Sequence, residues 1–228
     1  MNDLHHKFVK RKEVWVPTFR GWLVLFTLVA ILFSVITTSL FPFLAVNRAV
    51  QADLLVVEGW LPQYALKKAI EEFKKQPYRI LVTTGAPIER GFLISKFKTY
   101  AEFGAETLKQ LGLEEESIIS IPTPPVKKDR TYASALAVKN WLRTADFSPK
   151  GVNIYSFSLH ARRSWILFKK AFGDELNIGV LNAESQDYNS NNWWKTSIGM
   201  RAVINEALAY CYVRFFFYPK DDISKDAN

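Results

Sequence analysis

The sequence predicts an α/β domain, with a parallel sheet covered by helices on both faces, preceded by one N-terminal transmembrane helix. Three observations carry this. A charge-free apolar run covers residues 21–46. After it, short runs rich in β-branched residues alternate with segments of helical spacing. Those short runs are apolar throughout rather than at every second position, as strands buried on both faces are. A chain of 228 residues has room for one such domain and an extra segment.

The first element is "GWLVLFTLVAILFSVITTSLFPFLAV". A spanning helix needs about 20 apolar residues. A helix in the core of a soluble domain keeps a polar face, and this run has none. Its serines and threonines can bond to their own helix backbone, and Pro42 marks the helix end or a kink near it. A cleaved signal peptide is the rival reading. Its apolar region is normally about 7–15 residues long and is followed by a small-x-small site. The present run is longer and "LAVNRAVQA" fits such a site imperfectly, which favours an uncleaved anchor. Lys7, Lys10, Arg11, Lys12 and Arg20 outweigh Asp3 and Glu13 on the N-terminal flank. The positive-inside rule then puts the N-terminus in the cytoplasm and the main domain outside the inner membrane. The expected division is a basic segment at 1–20, the anchor at 21–46, the α/β domain at 47–219 and a polar, unstructured tail at 220–228.

The domain opens with "ADLLVVEG", a strand ended by glycine. "PQYALKKAIEEFKK" follows with helical spacing, with Pro62 suited to its first turn. "YRILVTTG" is the second strand, and "KTYAEFGAETLKQLG" is a helix closed by Gly112. "SIISIP", "RTYASALAVKNWLR", "GVNIYSFS", "ARRSWILFKKAFG" and "LNIGVLN" continue the alternation. A last helix covers about residues 198–217. This order, with right-handed crossovers, describes a three-layer, Rossmann-like sheet.

Composition narrows the function. The net charge of +8 is spread thinly, with no dense Lys/Arg stripe, so no nucleic-acid partner is expected. Cys211 is the only cysteine and reads as a small buried residue; no disulfide or thiolate metal site can form within the chain. No metal-ligand spacing, dinucleotide or phosphate-loop motif, or nucleophile elbow is present. "NNWW" at 191–194 reads as a packed aromatic lid, with sugar stacking or lipid contact as the alternative.

In open α/β sheets ligands bind beyond the carboxyl ends of the strands. That rule selects Glu58 and Gly59 after the first strand, Gly85 after the second, and Asp129, Arg130, Thr131 and Ser134 after the third. It selects His160 and Arg163 after the fourth. Glycine there lets backbone approach a ligand, and Asp129 or Thr131 can also serve simply as a helix cap. His160, Arg162 and Arg163 open a helix whose free N–H groups and dipole favour an anion. An arginine fork suits phosphate or carboxylate.

The order of elements, together with "HARR" at 160–163, resembles the SanA/YdcF/ElyC-like family of bacterial envelope proteins, over about residues 52–180. The anchor followed by an outside domain is closest in layout to the SanA branch. His160 and Arg163 fit the family's H-x-x-R. Thr131 fits its third-helix motif, where Arg130 and Ser134 stand in place of two asparagines; Glu58-Gly59-Trp60 stands in place of a glycine-rich turn. The resemblance implies a role in the envelope barrier or in lipid-carrier and peptidoglycan-precursor metabolism, without an established reaction; one cytosolic member is associated with S-adenosylmethionine.

The expectation is therefore a single-pass membrane domain that binds an anionic, phosphate-bearing or lipid-linked small molecule. Arg163 and Arg130 would clamp the anion, His160 would act as acid or base, and Glu58 would orient it. The alternatives are a non-catalytic scaffold or sensor module, and a nucleotide or S-adenosylmethionine site.

Overall fold

A computed structural model describes residues 14–89 and 96–219. Most of the basic N-terminal segment and the polar tail from residue 220 lie outside them. The chain forms two compact units, Met1–Thr38 and Ser39–Asn228.

Helix α1 covers Phe19–Leu44. It is long and apolar enough to cross a membrane. Every side chain from Trp22 to Ile36 is exposed. Its threonine hydroxyls bond back along the helix, as Thr27 does to the Leu23 carbonyl at 2.9 Å and Thr38 to the Ser34 carbonyl at 2.8 Å. These side chains thus carry no unpaired hydroxyl. Pro42 stands in the last turn of the helix.

The second unit is built on five parallel strands: β1 Leu54–Glu58, β2 Ile80–Gly85, β3 Ile118–Pro122, β4 Gly151–Phe157 and β5 Asn177–Ala183. Their order is β3-β2-β1-β4-β5. The chain winds outward from β1 in one direction and then from β4 in the other, so β1 and β4 flank a topological switch point. Helices α2 Gln63–Lys75 and α3 Tyr100–Gln110 cover one face, and α4 Arg130–Thr144 and α5 Ala161–Phe172 the other.

This explains the uninterrupted apolar runs. Along β1, Leu54 and Val56 pack towards α4 and α5, while Leu55 and Val57 pack towards α2. All four are fully buried.

Local signals set the helix ends. Thr99 and Glu102 form a reciprocal capping box at α3, and Gly112, with φ +92°, follows its end. Pro62 occupies the N-cap of α2.

The second compact unit starts at Ser39, inside α1. Leu44 is buried against Leu159, Trp193 and Val203, and Asn182 Nδ2 donates to the Ala45 carbonyl at 2.8 Å. The end of the apolar helix is therefore part of the domain's core. Cys211 is exposed, not buried. It lies on α6, Ser197–Phe215, on the outward face of that helix. Trp193 of "NNWW" is packed into the core, and Trp194 meets it edge-on at 5.8 Å.

Candidate functional site

A cavity of about 860 Å³ lies at the carboxyl ends of β1, β2 and β4, within the second unit. Two of its walls carry the chemistry.

The first wall begins at Glu58, the last residue of β1, which is 4% exposed. The Ser164 hydroxyl donates to Glu58 Oε1 at 2.6 Å and the Ser156 hydroxyl to Oε2 at 2.7 Å. His160 Nε2 stands 3.4 Å from Oε1. A single 3-10 turn, Ser158–His160, connects β4 to α5, with Ser158 held at φ +45°. That turn redirects the chain so that His160 sits at the N-terminus of α5. Arg163, three residues on, shares the same helix face.

The partner that completes this wall is Glu206 of α6. Arg163 donates to it through Nε at 2.9 Å and Nη2 at 2.8 Å, and His160 Nδ1 lies 3.3 Å from its Oε1. His160 is thus held between two carboxylates. Trp60 meets its ring edge-on at 5.5 Å.

The charges follow from this packing. Burial by itself would lower the His160 pKa, but the Glu58 charge and hydrogen bonds to Glu206 and Glu58 outweigh it, and Arg163 opposes them only in part. The net effect raises His160 to about 9. Burial would raise Glu206, yet hydrogen bonds from His160 and Arg163, with their charges, bring it down to about 2. Glu58 is likewise lowered: its burial is outweighed by the charge and hydrogen bond of His160 and by the two serines. At neutral pH both ring N–H groups of the imidazolium face carboxylates. The 2.8 Å approach of Arg163 Nη2 to Nδ1 is then a contact between two cations, offset by the shared Glu206 Oε1.

The second wall is formed by Thr84, Gly85, residues 127–131 and Ser134. The Thr84 hydroxyl is buried and has no hydrogen-bond partner among the described residues. A buried hydroxyl without a partner costs about 1–3 kcal/mol, so it is not a neutral feature. Asp129 occupies the N-cap of α4 in a left-handed conformation, φ +56°, and its side chain makes no capping bond. The first N–H groups of α4 are therefore left to other partners. Lys127 and Lys128 stand in the loop before it. Arg130 reaches Glu89 at 3.0 Å, with both side chains more than half exposed. Ser134 and Thr123 share a hydroxyl contact of 2.6 Å.

Of the residues singled out in the sequence, Glu58, Gly85, Asp129, Arg130, Thr131, Ser134, His160 and Arg163 all line this one cavity. Gly59 does not. A Cβ there would come within 2.7 Å of the Tyr100 carbonyl carbon, and Gly104 packs directly on it, so Gly59 lets α3 approach β1. Arg162 stacks on the Phe43 ring at 3.9 Å and donates to the Phe43 carbonyl, tying α5 to the end of α1.

Sequence reasoning passed over Glu206, whose one signal is that it is the only acid in Ser197–Phe215. Thr84 stands beside Gly85 at the end of the second strand, but nothing in the sequence marks its hydroxyl as unpaired. Among the described residues no His/Cys/Asp/Glu group is placed to hold a metal ion. No protein-family model and no curated protein sequence matches this chain.

Proposed function

We propose that this chain is a membrane-anchored, SanA/YdcF/ElyC-like domain outside the inner membrane, which binds an anionic, phosphate-bearing envelope precursor in the cavity at the strand ends. One observation carries the reading. A buried, unpartnered Thr84 hydroxyl lies in the same cavity as the N-terminus of α4, whose cap residue makes no capping bond to the helix. The positive end of the helix dipole favours an anion, and Lys127 and Lys128 add positive charge on that side, while Arg130 is paired with Glu89. Arg163 is turned instead to Glu206, so it holds the opposite wall together rather than clamping the anion. Retention of the anchor is supported by Leu44 and Val46, which are 1% and 6% exposed in the domain's core. Cleavage near residue 47 would remove both.

A second reading, a binding or sensor module without chemistry, is favoured by the engagement of both His160 ring nitrogens. On the first reading Glu58 and His160 exchange a proton with the ligand only after the contacts among Glu58, His160, Arg163 and Glu206 open.

The test uses the full chain in detergent, with inorganic phosphate and undecaprenyl phosphate as probes. A ligand that binds the native state raises Tm by mass action. Thr84→Val removes the hydroxyl with little change of shape and should weaken phosphate binding about tenfold, the loss of about 1.4 kcal/mol expected for one hydrogen bond to a charged group. Unchanged Tm at millimolar phosphate, or equal binding by Thr84→Val, would sink the site. Phosphate released from undecaprenyl diphosphate by wild type and not by His160→Gln favours chemistry; binding without release favours the module.

A further inference from the structure

We infer that the outer face of α6 rests on the bilayer surface, which brings the mouth of the cavity to the lipid. The inference depends on α1 being a membrane anchor.

The face itself is the first observation. Met200, Ile204, Leu208 and Phe215 are 44%, 48%, 66% and 59% exposed. Cys211 is exposed among them. At about 100° per residue these positions form one stripe along the helix. Phe216 and Tyr218 continue the exposed apolar surface beyond its end, at 73% and 77%. A contiguous apolar strip of this kind marks an interaction surface.

The second observation identifies the occupant. On one flank of the stripe, Ala207 and Tyr210 belong to the cluster that holds the end of α1, and Tyr210 meets the Phe43 ring edge-on at 5.1 Å. Phe43 is in the last turn of the apolar helix. With α1 as the anchor, whatever touches that turn lies, by chain connectivity, close to the membrane boundary, and the stripe is continuous with that surface. Exposed Arg201 and Arg214 and the aromatic residues at the helix end suit an interface with headgroups.

The third observation links this surface to the site. On its other flank, Ile198, Asn205 and Tyr212 are exposed and also line the cavity. One helix therefore carries the anchor contact, the stripe and the cavity rim in angular sequence, with Glu206 pointing inward. A ligand with a phosphate headgroup and a lipid tail could enter along this rim without leaving the bilayer, which also gives the cavity's apolar rim a use.

Cys211 provides the test, because it is the chain's only cysteine and lies on the stripe. The full chain is reconstituted in vesicles of zwitterionic and anionic phospholipid whose acyl chains carry bromine. An environment-sensitive fluorophore is attached at Cys211. On a Cys211→Ser background the same label is placed at Val29→Cys, within the apolar helix, or at Lys150→Cys, exposed at the opposite edge of the sheet. A face sunk about 5–10 Å into the headgroup and acyl boundary should be quenched about threefold more strongly at Cys211 than at position 150. Leu208→Glu should remove the difference. Strong quenching at position 29 with equal, weak quenching at 211 and 150 overturns the inference while leaving the anchor intact. Weak quenching at position 29 overturns both. A Cys211–Cys211 disulfide formed in place of lipid quenching assigns the stripe to a second copy of the chain, and also overturns it.

Discussion

Glu206→Gln tests the wall of the cavity that holds His160. The substitution keeps the side-chain shape but removes the charge that accepts two hydrogen bonds from Arg163 and one from His160. What remains are two cationic groups 2.8 Å apart, facing an amide. Removing one partner of a buried ion pair costs about 3–5 kcal/mol. Here the Arg163 and Glu206 side chains are 24% and 21% exposed, so solvent recovers part of that loss. The expected destabilisation is about 2–3 kcal/mol, read as a shift in urea midpoint by tryptophan fluorescence of the full chain in detergent at pH 6. The same change removes a contributor that raises His160, so its titration should move down from about 9. Side-chain nitrogen NMR follows this, with His5 and His6 as references in the same spectrum. A double substitution, Arg163→Met with Glu206→Met, should recover part of the lost stability, because no unpaired charge is left. A cost below about 0.5 kcal/mol, together with an unchanged His160 titration, would refute the view that Glu206 holds this wall.

Stability should also depend on pH in two windows. His160 is raised from 6.5 to about 9, so its contribution is complete below pH 6.5 and is lost as pH rises through 9; Glu206 is lowered from 4.5 to about 2, so its contribution is complete above pH 4.5 and is lost as pH falls towards 2. Urea midpoints should therefore form a plateau between those limits, and an even profile up to pH 9.5 would contradict a charged His160. Gly59→Ala should destabilise the domain by about 3 kcal/mol, since its Cβ would meet backbone of α3 rather than a side chain that can turn away. Unchanged thermal unfolding would show that α3 can move off β1 at little cost.

The layered fold was legible because its central strands are buried on both faces. A strand with little solvent face is apolar at most positions, and that pattern survives in one dimension. The carboxyl-edge rule then collected eight residues that line one cavity, because parallel strands end on the same edge whatever their order. Gly59 packs on α3 outside the cavity lining, and a glycine at a strand end looks the same in sequence whether backbone or ligand approaches it. Hydropathy likewise does not register where an apolar helix packs into protein, as Leu44 does.

By itself the sequence determined the apolar helix, the alternation of strand and helix, and the edge on which polar groups gather. These depend on periodicity and chain order alone. Only the tertiary structure decided what those groups do to one another. Glu206 lies 46 residues from His160 in the chain, yet together with Glu58 it raises that histidine's pKa, and it binds Arg163 through two hydrogen bonds. Thr84 matters only because its neighbours leave its hydroxyl unpaired. Electrostatic coupling and unmet hydrogen bonding act through distance and burial, and neither is a property of sequence spacing.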